Sequence, residues 1–154
     1  MRVSDREPTT LLVVSLGLLV ASGLAPRDRF TWWLEVAPVL LGVPLLVATY
    51  RRFRLTPLCY RLIFVHTVIL MVGGHYTYAL VPLGFWMERA FGFTRNHYNR
   101  IGHLAQGFVP AILAREILLR RLPLRPGKWL VALVTAVCLA SSALYELVEG
   151  GLPS

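Results

Sequence analysis

Five apolar blocks, separated by short polar stretches, organise the chain. From Pro8 to Pro26 there is no charged residue, a run of about 19 residues that can cross roughly 30 Å of hydrocarbon as a helix. The next block starts at Phe30, carries Trp32 and Trp33 near its beginning, one internal acid (Glu35) and two prolines, Pro38 and Pro44; membrane helices tolerate such prolines. A third runs from about Leu58 to Val81 and breaks at Pro82-Leu83-Gly84. Phe85–Phe93 then mixes aromatics with charge, the pattern of a short interfacial segment. The last two blocks start near Asn99 and at Trp129. The blocks are apolar throughout, without the one-sided stripe of a soluble helix. The pattern predicts an all-α integral membrane bundle of about five spans, approximately 9–25, 30–50, 58–81, 99–119 and 129–147, in one domain covering 1–154. Gly23-Leu24-Ala25 resembles a signal-peptide cleavage site, but Pro26 and the acids Asp5 and Glu7 favour an uncleaved first span.

Composition supports this picture. Hydrophobic residues make up 56% of the chain and charged residues 16%, against about 45–50% and 25% in soluble domains. A net charge of +8 raises nucleic acid as a partner. The basic residues, however, cluster between the apolar blocks, as in cytoplasmic loops, and no recognition fold accompanies them, so nucleic acid is excluded. The two cysteines, Cys59 and Cys138, form neither a disulfide framework nor a zinc motif and read as buried thiols.

Lys and Arg in the connections set the orientation. With the N-terminus inside, Arg2, Arg6, Arg51, Arg52, Arg54, Arg61, Arg115, Arg120, Arg121, Arg125 and Lys128 fall on the inner side. Arg27, Arg29, Arg89, Arg95 and Arg100 fall outside. The expected topology is N-inside, C-outside, in a bacterial inner membrane. It brings the polar ends of four spans to one level: Glu35; His75 and Tyr78; Asn99, His103 and Gln106; Tyr145, Glu146 and Glu149. Asn99, His103 and Gln106 share a helical face by their spacing, and Ser142, Glu146 and Glu149 share another.

Ionisable groups within a membrane face each other or water, because exposing one to lipid costs at least about 2.5–3.5 kcal/mol. The candidate catalytic residues are His103, Glu146, Glu149 and Arg100, with a His or Glu as general base and Arg100 holding an anionic group such as phosphate. Candidate substrate-binding residues are His75, Tyr78, Asn96, Asn99, Gln106 and Glu35. His75, His103, Glu146 and Glu149 are also the candidate ligands for a divalent metal, although no metalloprotease-type spacing is present. The bland alternative is an interhelical hydrogen-bond network in which Arg100 neutralises one acid. His66 lies roughly 13 Å deeper than His75 on helix geometry and reads as structural. Arg115 and Glu116, being adjacent, must find other partners.

Several motifs occur in order: Gly73-Gly74-His75-Tyr76-Thr77-Tyr78-Ala79, Val81-Pro82-Leu83-Gly84, Arg95-Asn96-His97-Tyr98-Asn99-Arg100-Ile101-Gly102-His103, Gln106-Gly107-Phe108-Val109-Pro110-Ala111, Arg115-Glu116 and Leu144-Tyr145-Glu146. Together they resemble the YjdF-like family of bacterial inner-membrane proteins across nearly the whole chain. The resemblance implies a small multi-span membrane protein of uncharacterised role, and carries over Asn96, Arg100, His103, Gln106, Glu146 and Glu149 as positions of interest. Family members have aspartate where Asn99 stands. They also continue past the glutamates into a Gly-Asp-x-Trp-Asp-x-Gln-x-Asp-Met stretch and another span, whereas this sequence ends Gly150-Gly151-Leu152-Pro153-Ser154; a natural short form, a truncated gene and a decayed copy are all open readings. A fainter likeness to VanZ-like membrane proteins rests on an acid-x-x-x-His helix start.

The functional expectation is an outward-facing polar site for an anionic lipid-linked or envelope substrate. The alternative is an assembly partner of another membrane protein. A small transporter fits less well, because the inner halves of the spans are almost purely aliphatic.

Overall fold

A computed structural model describes residues 6–150, with the side chains of residues 145, 146 and 148–150 outside the described set. The described chain is helical: α1 (Arg6–Gly23), α2 (Arg29–Thr49), α3 (Pro57–Tyr76), a 3-10 turn (Tyr78–Leu80), α4 (Pro82–Phe91), α5 (Tyr98–Arg121) and α6 (Lys128–Gly150).

Local chemistry sets the boundaries. Asp28 caps α2 by accepting from the Phe30 and Thr31 amides at 3.3 and 2.8 Å, and the Thr31 hydroxyl also donates to it. Thr56 caps α3 ahead of Pro57, whose fixed φ and missing N–H suit a first helical turn. Gly92 ends α4 in the left-handed conformation, φ 67°. The third apolar block was expected to stay helical to residue 81, but α3 stops five residues earlier. Thr77 takes φ 60° and ψ 137°, which no helix accommodates, and the chain turns back on itself there. The segment expected at the interface, Phe85–Phe93, is the greater part of α4.

The chain falls into two compact units, Met1–Ala105 and Gln106–Ser154. In the first, α3 is central and packs along both α1 and α2, which touch each other far less. Helices α1 and α3 run parallel, joined at both ends. Arg61 Nε donates to Glu7 at 2.5 Å near their starts, and His75 meets the Ser22 carbonyl near their finishes. Val36, Val39, Leu70 and Met71 form the buried centre, with Leu19, Trp32, Leu40 and Val43 packed around it. In lipid such packing rests on close fit, since tails are as apolar as leucine. Gly74 supplies that fit, because a Cβ there would lie 3.1 Å from Glu35 Cβ and 3.4 Å from Trp32 Cδ1. His66, on α3, meets the Ala105 backbone, in keeping with a structural role. Cys59 is a buried thiol outside any disulfide.

In the second unit, Val109 and Leu130 are buried, and the Cys138 thiol lies 3.7 Å from the Gly107 carbonyl. Glu116 finds its partner one turn on, at Arg120, as adjacency to Arg115 required. Trp129, Val131, Leu139 and Leu147 on α6 are exposed. Among the described residues, α2 and α3 are long and apolar enough to cross a membrane, and Lys128–Leu144 is a shorter apolar stretch.

Candidate functional site

The turn at Thr77 folds the Tyr78 ring back into the first unit. A Cβ on Gly73 would lie 2.5 Å from that ring, and one on Gly102 would lie 2.6 Å from it. Two glycines, one on α3 and one on α5, thus leave room for a single aromatic plane. The sequence suggested that Gly73 and Gly74 both admit a neighbouring helix. Gly74 does so, while Gly73 admits Tyr78. The Tyr98 ring lies 5.8 Å from Tyr78, and its hydroxyl donates to the Ile69 carbonyl at 3.2 Å.

Asn96 ties this arrangement to α4. Its amide donates to the Val81 carbonyl at 3.0 Å, and its oxygen accepts from the Tyr98 amide at 2.9 Å. Gly84 leaves the space that the Asn96 side chain occupies. The start of α4 and the start of α5 are therefore held together by one side chain, which also serves as an N-terminal cap.

Above this clasp lies an open bowl of about 700 Å³, bordered by Tyr78, Glu88, Arg95, Asn96, His97, Asn99 and Arg100 among others. Two guanidiniums stand against one carboxylate. Asn99 and Arg100 are exposed in the first turn of α5, where the helix dipole adds positive potential. The arrangement can hold an anion through charge-assisted, forked hydrogen bonds. Arg95, His97 and Glu88 were not singled out from the sequence. The signal was available for the first two, since Arg95 and His97 flank Asn96 within the polar run leading into α5.

The remaining candidates lie elsewhere. His75 is half-buried, its Nδ1 2.8 Å from the Ser22 carbonyl. A carbonyl only accepts, so Nδ1 carries the proton and in the neutral ring Nε2 is left as the acceptor. The Ser22 hydroxyl in turn accepts from Trp32 Nε1 at 3.1 Å. His75 borders a separate apolar recess of about 210 Å³. Glu35 is buried on α2 beside Gly74. His103 is exposed one turn beyond Asn99 and does not border the bowl. Gln106 is half-buried and belongs to the second unit. The side chains of Glu146 and Glu149 lie outside the described residues. Among the described residues no three His, Cys, Asp or Glu side chains gather as a metal centre would require.

The described residues are helical, and α2 and α3 have the length and apolar composition of membrane spans. The chain belongs to the family described as "Predicted membrane protein (DUF2238)", which matches residues 8–152. It is similar to the inner membrane protein YjdF of Escherichia coli (strain K12), with 51% identity over 141 residues, covering 92% of this chain and 67% of that protein. No solved structure matches.

Proposed function

We propose that the chain is a five-span inner-membrane protein, N-terminus inside, whose bowl at the start of α5 faces outward and binds the anionic group of a lipid-linked or envelope substrate. The observation that carries this reading is the gathering of Arg95, Arg100, His97 and Asn99 around one open cavity on a frame fixed by Asn96 and Tyr78. α1, α5 and α6 act as spans alongside α2 and α3. Their polar ends (Arg100 and His103 on α5, for instance) lower their mean hydropathy, and the shortest of them, at 18 residues and roughly 27 Å, stays within the range of about 17–25 residues that spanning helices have. Arg95 and Arg100 grip the anion, and His103, which lies one turn beyond Asn99 and outside the bowl's lining, joins the proposal as an acid–base group on sequence pattern alone. Glu146, Glu149 and Gln106 join the proposal on sequence pattern alone, as do His75 and Glu35 as supports of the frame.

The test is equilibrium binding of pyrophosphate to purified full chain. Wild type is expected to bind, and Arg95→Gln with Arg100→Gln is expected to weaken binding at least ten-fold, while His103→Ala leaves it nearly unchanged. Absence of binding, or equal binding by the double variant, would overturn the reading.

A further inference from the structure

A second cavity lies at the opposite end of the first unit. There α1 and α2 diverge over α3 and leave an apolar cleft of about 330 Å³, within the range of small-ligand pockets. Three helices supply the walls: Pro8 to Ser15 on α1, Val43 to Ala48 on α2 with its cap Tyr50, and Tyr60 to Thr67 on α3, where Tyr60, Ile63, Phe64 and Thr67 repeat every third or fourth residue. The cleft therefore runs along the helices and is predominantly apolar.

Its mouth is cationic. Arg51 borders it directly, and the Arg54 guanidinium sits 4.9 Å above the ring of Tyr50, a wall residue. Arg52 lies between them in sequence and is exposed, as both its neighbours in charge are. Among the described residues, Glu7 on α1 is engaged by Arg61. The Leu55 amide donates to the Tyr60 hydroxyl at 3.3 Å, which pins the loop carrying these arginines to the cleft floor.

We propose that this cleft holds one anionic phospholipid of the surrounding bilayer, an acyl chain lying along the three walls and the phosphate on Arg51 and Arg54. An apolar slot ending in fixed positive charge matches that amphiphile end to end. A zwitterionic lipid offers the same chain but no net charge, and a soluble anion has nothing to place in the slot. Basic pockets between spans on the cytoplasmic side select anionic headgroups in this manner. The site is distinct from the bowl at α5 and independent of its reading.

The experiment compares phosphatidylglycerol with phosphatidylcholine of identical chains, added to the purified full chain in detergent, reading lipid retained by native mass spectrometry and the thermal midpoint. Phosphatidylglycerol is expected to be retained at one copy and to raise the midpoint more than phosphatidylcholine. Arg51→Gln with Arg54→Gln, both at exposed positions, is expected to cut the preference about ten-fold or more, and Arg51→Lys with Arg54→Lys to keep most of it. Val47→Trp, which fills the slot, is expected to lower retention of both lipids. Equal retention of the two lipids by wild type, or a preference that survives loss of both arginines, would overturn the proposal.

Discussion

The two ends of the α1–α2–α3 layer are built differently. At the end holding Ser22 and His75, side chains close most of the space between the helices and leave a recess of about 210 Å³. Trp32 covers Gly23 and bonds Ser22, Gly74 lets α2 close on α3, and Tyr78 fills the slot between Gly73 and Gly102. At the end holding Glu7 and Arg61, α1 and α2 part, and a solvent-exposed ion pair joins α1 to α3. In a bilayer the first arrangement can fix the position of polar groups, because close-packed interiors shift little. The second leaves a slot that lipid can fill. Rigidity thus accompanies the polar bowl, and looseness accompanies the apolar cleft.

The sharpest way to break this contrast is to add one methyl group at closely packed glycines and at glycines facing open space. Gly73→Ala and Gly102→Ala should each cost about 1–3 kcal/mol through overpacking against Tyr78, read as a fall in the thermal midpoint in detergent. Gly17→Ala and Gly42→Ala, where a Cβ meets nothing within 4 Å, should cost nothing and gain up to about 1 kcal/mol from helix propensity. Equal effects at all four positions would erase the distinction.

Next in size is Asn96→Ala, which removes a cap and a bond to Val81 and should cost about 1–2 kcal/mol. Unfolding in denaturant would register it. If the bowl depends on this clasp, pyrophosphate affinity should fall as well, although both arginines remain. Thr77→Gly should act in the opposite direction, raising stability by about 1 kcal/mol, because glycine adopts φ 60° without strain.

The smallest effects concern exposed carboxylates. Glu7→Gln should leave the midpoint within error, since exposed ion pairs contribute little. Asp28 is held below its ordinary carboxylate value, chiefly by the Thr31 hydroxyl and then by the Thr31 and Phe30 amides. Its stabilisation is therefore fully present above the unfolded-state value and is lost as pH falls through the lower folded-state value. A pH titration of the midpoint in the acid range should flatten in Asp28→Asn.

Much of the helical layout was legible in the sequence, because hydrocarbon demands long apolar runs and the chain has little else. The break at Thr77 was not. Residues 77–81 are as hydropathic as a helix end, and only the space left by Gly102, distant in sequence, explains why Tyr78 folds back. Arg100 and Asn99 could be placed at the start of α5 because charge there has few other homes. The internal engagement of Asn96 was hidden, since an asparagine that binds a ligand and one that fastens two backbones look alike in a string of letters. Likewise the walls of the apolar cleft are spread over three helices, and no single helix shows that its neighbours part.

The Tyr78 ring acts as a spacer whose thickness sets how near α3 and the start of α5 can come. Three positions widely separated along the chain, Gly73, Tyr78 and Gly102, are consequently one tolerance in three parts. A descendant lineage that enlarged either glycine would need a thinner occupant at the middle position before α5 could settle in its present place.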